Sequence, residues 1–320
     1  MRGGDRPVPR GGAALKRIVS VSLGSSSRDH RSRVTLLGEE FELERIGMDG
    51  SIERAGAALR ALDGEVDAIG LGGIDVSLYA GEKRYGLRDG LRLLAEVKRT
   101  PVVDGSGLKN TLERHAVRYL RDELGVVLAG TPVLMVSALD RFGMAQSFVD
   151  AGADVLFGDF IFALDLDKPV RGLAEFEALA ERYLPDACKL PFQFFYPTGK
   201  KQDRPPRPKY PEYYAEASII AGDFHFMRQF MPERLDGKLV LTNTLTARDV
   251  EELRARGVAR LVTTTPDFGG RSYGTNVVEA ALVALLGKAW NEITAADYAE
   301  LIARLGLHPR VLDLAAMPAT

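Results

Sequence analysis

The sequence has almost no cysteine: Cys188 is the only one among its 320 residues. A single cysteine excludes an intrachain disulfide framework and a cysteine-rich zinc site. Histidine is scarce as well, and the four histidines stand far apart, without the H-x-x-H or H-E-x-x-H spacing of zinc sites. We therefore predict that the protein holds no metal ion.

Long apolar runs are also missing. The longest, such as residues 277–286, are much shorter than the roughly 20 residues that a membrane span needs. Residues 1–16 lack the apolar stretch of a secretory signal. These absences predict a cytoplasmic protein with no membrane partner and with a flexible N-terminal arm.

Neither sign of charge is in excess. Lys and Arg number 42 and Asp and Glu number 44, so the net charge is −2. Because a nucleic-acid binder usually has a basic excess, we expect no nucleic-acid partner. Hydrophobic residues make up 46% of the chain and charged residues 27%, which is enough apolar material for a folded core.

What the sequence does contain is an alternation of short apolar runs with helical stripes. This alternation predicts an α/β protein with a doubly wound parallel sheet. In the first half, we interpret residues 17–23 and 66–71 as strands. In the second half, the predicted strands are residues 132–136, 154–158, 218–221, 238–241 and 260–262.

The length of the chain suits two domains better than one small module. Residues 1–16 form the arm, and residues 17–107 together with 274–320 form an α/β substrate domain, on which the C-terminal helices pack back. Residues 108–273 form a Rossmann-like nucleotide-binding domain with a proline-rich insertion near 186–214. The insertion is basic through Lys200, Lys201, Arg204, Arg207 and Lys209. We expect it to clamp an anionic ligand or to act as an arm at the contact of a homodimer.

Polar residues follow several of the predicted strands. Ser137, Asp159, Asp223 and Thr242 stand at or just after the carboxyl ends of strands. Ligands of open parallel sheets bind beyond these ends, so the pattern favours a small-molecule crevice. We predict that these four residues bind a cofactor there.

The turn that begins at Ser137 occupies the place of a phosphate-binding G-x-G-x-x-G motif, but Gly143 is its only glycine. Asp140 would repel a phosphate, whereas Arg141 could bind one with both its amino groups. We nevertheless count Asp140, Arg141 and Gly143 among the predicted cofactor-binding residues. Asp159 lies 22 positions after Ser137, where an acid accepts hydrogen bonds from a ribose hydroxyl and favours NAD over NADP. The alternative for Asp159 is a solvated residue at a strand end.

Four segments spread over nearly the whole chain carry recognisable motifs. DGSG at 104–107 and LAGT at 128–131 enclose a predicted helix, SSSRDH at 25–30 follows the first strand, and GTNVVEAA at 274–281 begins a late helix. Taken together, these segments resemble the motifs of the shikimate and quinate dehydrogenase family. The resemblance implies NAD(P)-dependent oxidation of a quinate- or shikimate-like cyclic hydroxy acid.

The same resemblance implies the positions of the substrate contacts. It places Ser25 and Ser27 against the substrate carboxylate. It also places Asn276 and Glu279 beside the substrate, with Glu279 where the family has a glutamine. The expected partner is therefore a small carboxylated metabolite, with NAD as cofactor and NADP less favoured.

Lys109 and Asp104 are the predicted catalytic pair. They stand five positions apart at the start of the helix between the two domains, so both can face one cleft. A lysine beside an aspartate can act as general acid or base on a hydroxyl. The alternatives are a surface lysine with an aspartate at a helix start, and Lys83 as the catalytic lysine. For the whole protein, the alternatives are a Rossmann-like enzyme that uses another ligand and a non-catalytic small-molecule sensor.

Overall fold

Helices and strands alternate along the chain in the computed structural model, which describes residues 15–81, 83–191, 207–243, 245–265, 267–268, 271–288 and 292–315. The strands form two mainly parallel sheets covered by helices, which confirms the predicted α/β class. Within those ranges no helix is long and apolar enough to cross a membrane. Most of the expected arm lies outside the described residues, but Lys16 already belongs to a strand, and its Nζ donates to the carbonyl of Ala284 at 2.6 Å.

The first part of the chain builds a five-stranded sheet. Its elements are β1 (Lys16–Ser22), β2 (His30–Leu36), β3 (Glu39–Gly47), α1 (Ile52–Leu62), β4 (Ala68–Gly72), β5 (Ser77–Ala80), β6 (Lys83–Gly86), α2 (Arg88–Leu94), β7 (Val102–Val103) and α3 (Ser106–Asp122). The strand order is β2-β3-β1-β4-β7, and only β2 runs antiparallel to its neighbour. β5 and β6 form a separate hairpin.

The second part builds a six-stranded sheet. Its elements are β8 (Pro132–Met135), α4 (Phe142–Asp150), β9 (Asp154–Phe157), α5 (Leu173–Ala187), α6 (Pro211–Glu216), β10 (Ile219–Ala221), α7 (Phe224–Phe230), β11 (Leu239–Thr242), α8 (Ala247–Ala255), β12 (Arg260–Thr263), β13 (Asp267–Phe268), β14 (Arg271–Ser272), α9 (Thr275–Leu286), α10 (Ala295–Arg304) and β15 (Arg310–Asp313). The order is β9-β8-β10-β11-β12-β15, with β15 antiparallel and the other pairs parallel. β13 and β14 form a separate two-stranded sheet.

Each sheet has a point where the direction of winding reverses. In the first sheet β1 lies between β3 and β4, and in the second β8 lies between β9 and β10. Chain connections leave such a strand on opposite sides, so a crevice opens beyond its carboxyl end. A single cavity is lined by Ser22 and Gly72 from one reversal point and by Arg141 and Asp223 from the other. The two reversal points therefore face a common cleft.

Helix α3 belongs to both hydrophobic cores. Leu108 and Leu112 pack in the core that covers one face of the first sheet, together with α9 and α10. Ala116 and Leu120 pack two turns later in the core between the second sheet and α4. Gly105 precedes the first residue of the helix; its φ of 93° suits glycine, and a Cβ there would lie 2.9 Å from the backbone nitrogen of Asn276.

The end of the chain differs from the expected domain limits. α9 and α10 pack on the first sheet, but β15 pairs with β12 at the edge of the second sheet. Residues 310–313 thus leave the substrate domain, because the edge of β12 offers backbone groups that need partners.

The basic insertion is described only in part. Lys200, Lys201 and Arg204 lie outside the described residues. Lys209 forms an ion pair with Asp165 at 2.7 Å and lies over the ring of Phe230. Its ammonium group therefore contacts residues of the second part of the chain and does not line the cleft.

Gly143 was expected to contact a cofactor, and the structure places it where α4 crosses α3. A Cβ at this position would lie 2.1 Å from Oδ1 of Asn110 and 2.9 Å from its carbonyl oxygen. We expect Gly143→Ala to lower the free energy of unfolding by about 1–3 kcal/mol, since the helices would have to separate. Gly56→Ala in α1 is the matched control, because its Cβ would meet nothing closer than 3.6 Å, and it should raise stability by up to about 1 kcal/mol. Urea unfolding of both variants measures the contrast, and equal effects would contradict it.

Candidate functional site

The cleft between the two sheets has a volume of about 280 Å³. It brings together several residues that were predicted for separate roles, namely Lys109, Asp140, Arg141, Asp223 and Asn276. The first sheet and its loops add Ser20, Ser22, Arg28, His30, Arg45 and Asp75. The second sheet adds His225 and Asn243. Most of this lining is polar or charged, so the cleft suits a polar ligand.

A buried cluster of charges forms the floor of the cleft, with Arg141 at its centre. The Arg141 side chain is 5% exposed, and it contacts Glu113 Oε1 at 2.6 Å, Asp223 Oδ2 at 3.1 Å and Asp140 Oδ2 at 3.6 Å. Burial opposes its charge, but the three carboxylates outweigh burial and raise the pKa of Arg141. These partners occupy both of its terminal amino groups, so the predicted role as a phosphate ligand does not fit the observed contacts.

Glu113 is the most enclosed acid of this cluster. It stands four residues after Lys109 on α3, on the same face of the helix. Burial raises the pKa of Glu113 to about 7, against the opposing charges of Arg141 and Lys109. Its Oε2 is buried without a hydrogen-bond partner among the described residues. Sequence reasoning missed this residue, although its spacing from Lys109 was a usable signal.

Asp159 does not stand free at its strand end. Its carboxylate is buried and accepts hydrogen bonds from the backbone nitrogens of Ala138 and Leu139, at 3.0 and 3.1 Å. Burial raises the pKa of Asp159 to about 7, although these hydrogen bonds favour its charge. The predicted contact with a ribose hydroxyl does not fit this position, because the carboxylate already binds the backbone of Ala138 and Leu139.

The same hydrogen bonds bear on the dinucleotide that the fold and the resemblance imply. A pyrophosphate in such a fold binds to backbone amides of the turn after the first strand of the sheet. In this chain that turn follows β8, and Asp159 already holds the amides of Ala138 and Leu139. A second anion would have to displace a carboxylate and would meet Asp140 as well. The residues of this turn do not fit a dinucleotide pyrophosphate.

Lys109 lies in the cleft as predicted from its position, but its carboxylate partner differs. Its Nζ donates to the carbonyl of Asp140 at 2.8 Å and lies 3.4 Å from Oδ1 of Asp75. Burial opposes the charge of Lys109, but Asp75 and Asp140 outweigh burial and raise its pKa. The ammonium group is therefore held in its protonated form. Lys83, the alternative lysine, is exposed and forms an ion pair with Glu181.

Asp104 has a structural position instead of a catalytic one. Its two carboxylate oxygens accept hydrogen bonds from the backbone nitrogens of Val76 at 2.6 Å and Ser106 at 2.9 Å. These contacts fasten the start of α3 to the loop after β4. Asp75, in that loop, takes the place beside Lys109, and it follows the carboxyl end of β4. Ligands of parallel sheets bind beyond the carboxyl ends of the strands, and this principle, applied to β4, would have singled out Asp75.

Ser25 and Ser27 were expected to bind a carboxylate, and they bind each other. Ser25 Oγ accepts a hydrogen bond from the backbone nitrogen of Ser27 at 3.2 Å, and the two hydroxyl oxygens are 2.8 Å apart. Neither residue lines the cleft, whereas Arg28 in the same short turn and Arg45 on β3 do. The guanidinium of Arg45 donates to Ser22 Oγ at 3.0 Å and to the carbonyl of Ser25 at 3.0 Å. Burial, and next the charge of Arg28, lower the pKa of Arg45.

Asn276 and Glu279 begin the same helix but differ in access to the cleft. Asn276 lines it, and its Nδ2 donates to Ser20 Oγ at 2.7 Å. Glu279 is 3% exposed and accepts hydrogen bonds from the backbone nitrogen of Leu108 at 3.3 Å and from the hydroxyl of Tyr298 at 2.7 Å. The predicted substrate contact of Glu279 is thus replaced by a contact among α3, α9 and α10.

Of the remaining predicted cofactor residues, Thr242 is fully buried and donates through Oγ1 to the carbonyl of Gly222 at 2.7 Å. Ser137 has a buried hydroxyl without a partner in the described part of the chain and faces a second cavity. Asp223 caps α7 and accepts a hydrogen bond from Asn243 Nδ2 at 2.8 Å. Among the residues described, no three His, Cys, Asp or Glu side chains are grouped as metal ligands.

Comparison with known proteins gives a family but no activity. The family model of a domain of unknown function (DUF8754) matches residues 107–314, and that of a second domain of unknown function (DUF8753) matches residues 17–104. No curated protein matches the chain.

Solved structures are similar to the chain only distantly. A glucose-galactose binding protein from Geobacillus stearothermophilus is 11% identical, over 95% of this chain and 99% of that one, with a TM-score of 0.36. A periplasmic ribose ABC transporter protein from Conexibacter woesei is 12% identical, over 92% and 97%, with a TM-score of 0.37. A hetero-hexameric glutamate dehydrogenase from Thermus thermophilus is 15% identical, over 94% and 78%, with a TM-score of 0.40. Similarities this weak carry no conclusion about ligand or activity.

The burial of Glu279 predicts a dependence of stability on pH. Burial, and next the charge of Asp104, raise the pKa of Glu279 to about 7 from the ordinary 4.5. Its contribution to stability is therefore complete below about pH 4.5 and is lost as the pH rises through 7. In Glu279→Gln, the free energy of unfolding should fall less between pH 5 and pH 8 than in the original chain, by about 1–3 kcal/mol. Urea unfolding at both pH values is the measurement.

Glu300→Gln provides the control, since Glu300 is exposed on α10. It should keep the pH dependence of the original chain. If Glu279→Gln also kept it, Glu279 would titrate as an ordinary solvated carboxyl group.

Proposed function

We propose that this chain, which belongs to the family described as a domain of unknown function (DUF8754), binds a small polyhydroxylated carboxylic acid in the cleft between its two sheets. The observation that carries the proposal is the division of charge in the cleft. The basic side chains of Arg28, His30 and Arg45 line the cleft from the first sheet and its loops. The acids Asp75, Asp140 and Asp223 line it as well, and they neighbour Lys109 and Arg141. One ligand with an acid group at one end and hydroxyl groups at the other would satisfy both sides.

The carboxylate of the ligand belongs beside Arg28 and Arg45. Arg45 already pairs with Asp29 at 2.9 Å, and burial and next the charge of Arg28 lower the pKa of Arg45. Among the residues that the structure describes, no ion pair engages the Arg28 guanidinium. A carboxylate beside Arg28 would offset its charge near Arg45 and could accept paired hydrogen bonds from the Arg28 guanidinium. This assignment replaces Ser25 and Ser27 as the carboxylate site.

The hydroxyl groups of the ligand belong toward Lys109 and the acids around it. Carboxylates such as those of Asp75 and Asp140 accept hydrogen bonds from hydroxyl groups, and the Lys109 ammonium donates them. The amide of Asn276 adds both a donor and an acceptor at the edge of this group. A quinate- or shikimate-like ring, as the resemblance to the dehydrogenase family implies, has this distribution of groups.

Acid–base catalysis on a hydroxyl is the second candidate function, favoured by the contact between Lys109 and Asp75. Because the neighbouring carboxylates raise the pKa of Lys109, it stays protonated and could act only as an acid, and the raised pKa makes it a weaker acid than an ordinary lysine. NAD-dependent oxidation stays a prediction from the resemblance, and Asp159 occupies the amides that a pyrophosphate would need.

Isothermal titration of the full chain tests the proposal with six probes. Quinate and shikimate should bind. Cyclohexanecarboxylate lacks the hydroxyls and glucose lacks the carboxylate, so both should bind at least about tenfold more weakly. A tenfold loss of affinity corresponds to the loss of one charge-assisted hydrogen bond. NAD and NADP should give no heat of binding at millimolar concentration.

Arg28→Met identifies the carboxylate site. It should weaken quinate binding at least about tenfold without lowering stability, because the Arg28 side chain is exposed. Arg33→Met is the matched control: it removes an exposed arginine of β2 that pairs with Glu42 away from the cleft, and it should leave quinate affinity unchanged. The proposal is contradicted if neither quinate nor shikimate binds, or if Arg28→Met and Arg33→Met behave alike.

A further inference from the structure

A second cavity, of about 250 Å³, lies beside the cleft. It is bounded by α5 and by the turns that follow β8 and β9, and Asp140 and Asp223 line both spaces. Its character differs from that of the cleft, because most of its walls are apolar. The larger wall residues include Phe160, Leu164, Phe176, Leu179, Tyr183 and Leu190.

Several of these apolar walls remain in contact with solvent. Leu164 is 56% exposed, Tyr183 48% and Leu190 45%. Exposed apolar side chains that line a cavity on a protein surface often mark a ligand-binding site. A cavity of roughly 150 Å³ lined by apolar side chains is enough to bind benzene, so this one has room for a ring with a short chain attached.

The inner end of the cavity is polar and acidic. Ser137 Oγ and Asp140 Oδ1 are buried there without a hydrogen-bond partner among the described residues. Apart from Tyr183, the ionisable residues that line the cavity in the described part of the chain are Asp140, Asp159 and Asp223, and Arg141 pairs with Asp140 and Asp223. A hydrogen-bond donor that enters the cavity would supply the missing partner, and a carboxylate would be repelled.

We propose that this cavity is a binding site for a small aryl or alkyl amine. The apolar body of the amine lies among Phe160, Phe176 and Tyr183, and its ammonium group faces Ser137 and Asp140 at the inner end. This site is separate in chemistry from the cleft, where cations from the first sheet select a carboxylate. The two sites meet at Asp140 and Asp223, so ligands in both would be neighbours.

Three probes with the same aromatic body and different polar groups test the proposal by isothermal titration of the full chain. They are 2-phenylethylamine, 2-phenylethanol and 3-phenylpropionate. The amine should bind at least about tenfold more tightly than the carboxylate, with the alcohol between them. Equal affinity of the amine and the carboxylate, or no binding of the amine, would overturn the proposal.

Filling the cavity gives the matched pair of variants. Ala187 lines the cavity at the end of α5 and is half-buried, whereas Ala178 is exposed on the same helix and does not line it. Ala187→Phe should weaken amine binding at least tenfold, and Ala178→Phe should leave it unchanged. Ala163→Phe fills the cavity from the turn after β9, and it replaces Ala187→Phe if that variant does not fold. Unchanged amine affinity in the filled variant would place the amine elsewhere.

A failure of the amine proposal can be distinguished from a failure of the quinate proposal. Arg28→Met should reduce quinate affinity and leave amine affinity as it was, because Arg28 does not line the apolar cavity. Loss of amine binding in Arg28→Met would count against a separate site.

Discussion

The ion pairs of Arg141 hold the cleft in its shape. Through one guanidinium they join Glu113 on α3, Asp140 in the turn after β8 and Asp223 at the start of α7. These elements belong to distant parts of the chain, and removal of the buried guanidinium would leave their carboxylates without this partner, which costs free energy. Since α3 also packs in the core of the first sheet, the same cluster couples the second sheet to the first.

The contacts of Asp159 decide what the second sheet can bind. A sheet with this winding offers backbone amides to an anion beyond its first strand, and Asp159 supplies that anion from within the chain. The open polar space is then the cleft, where Arg28 and Arg45 provide positive charge and Lys109 stands among acids. If the proposed function holds, the ligand is a small acid in the cleft, because Asp159 occupies the amides of the turn after β8.

Patterns of neighbouring residues predicted the fold better than the site. Alternating apolar runs indicate strands and helices because burial follows the periods of these elements, and the α/β class is confirmed. The position of Lys109 at the start of an interdomain helix also led to the cleft. Its partner could not be predicted in the same way, because Asp75 is 34 positions away and reaches Lys109 only through packing of α3 against the loop after β4.

The spacing of Asp159 from Ser137 predicted a ribose-binding role that the contacts of Asp159 do not fit. Its place after a strand matches a ribose-binding acid, but its buried carboxylate accepts hydrogen bonds from the backbone nitrogens of Ala138 and Leu139. A double-mutant cycle tests the central role of Arg141: the free energy of unfolding is measured for Arg141→Met, Glu113→Leu and both together. Each single change should cost about 3–5 kcal/mol, and the double variant should lose at least about 1 kcal/mol less than the sum. Additive losses would contradict the account.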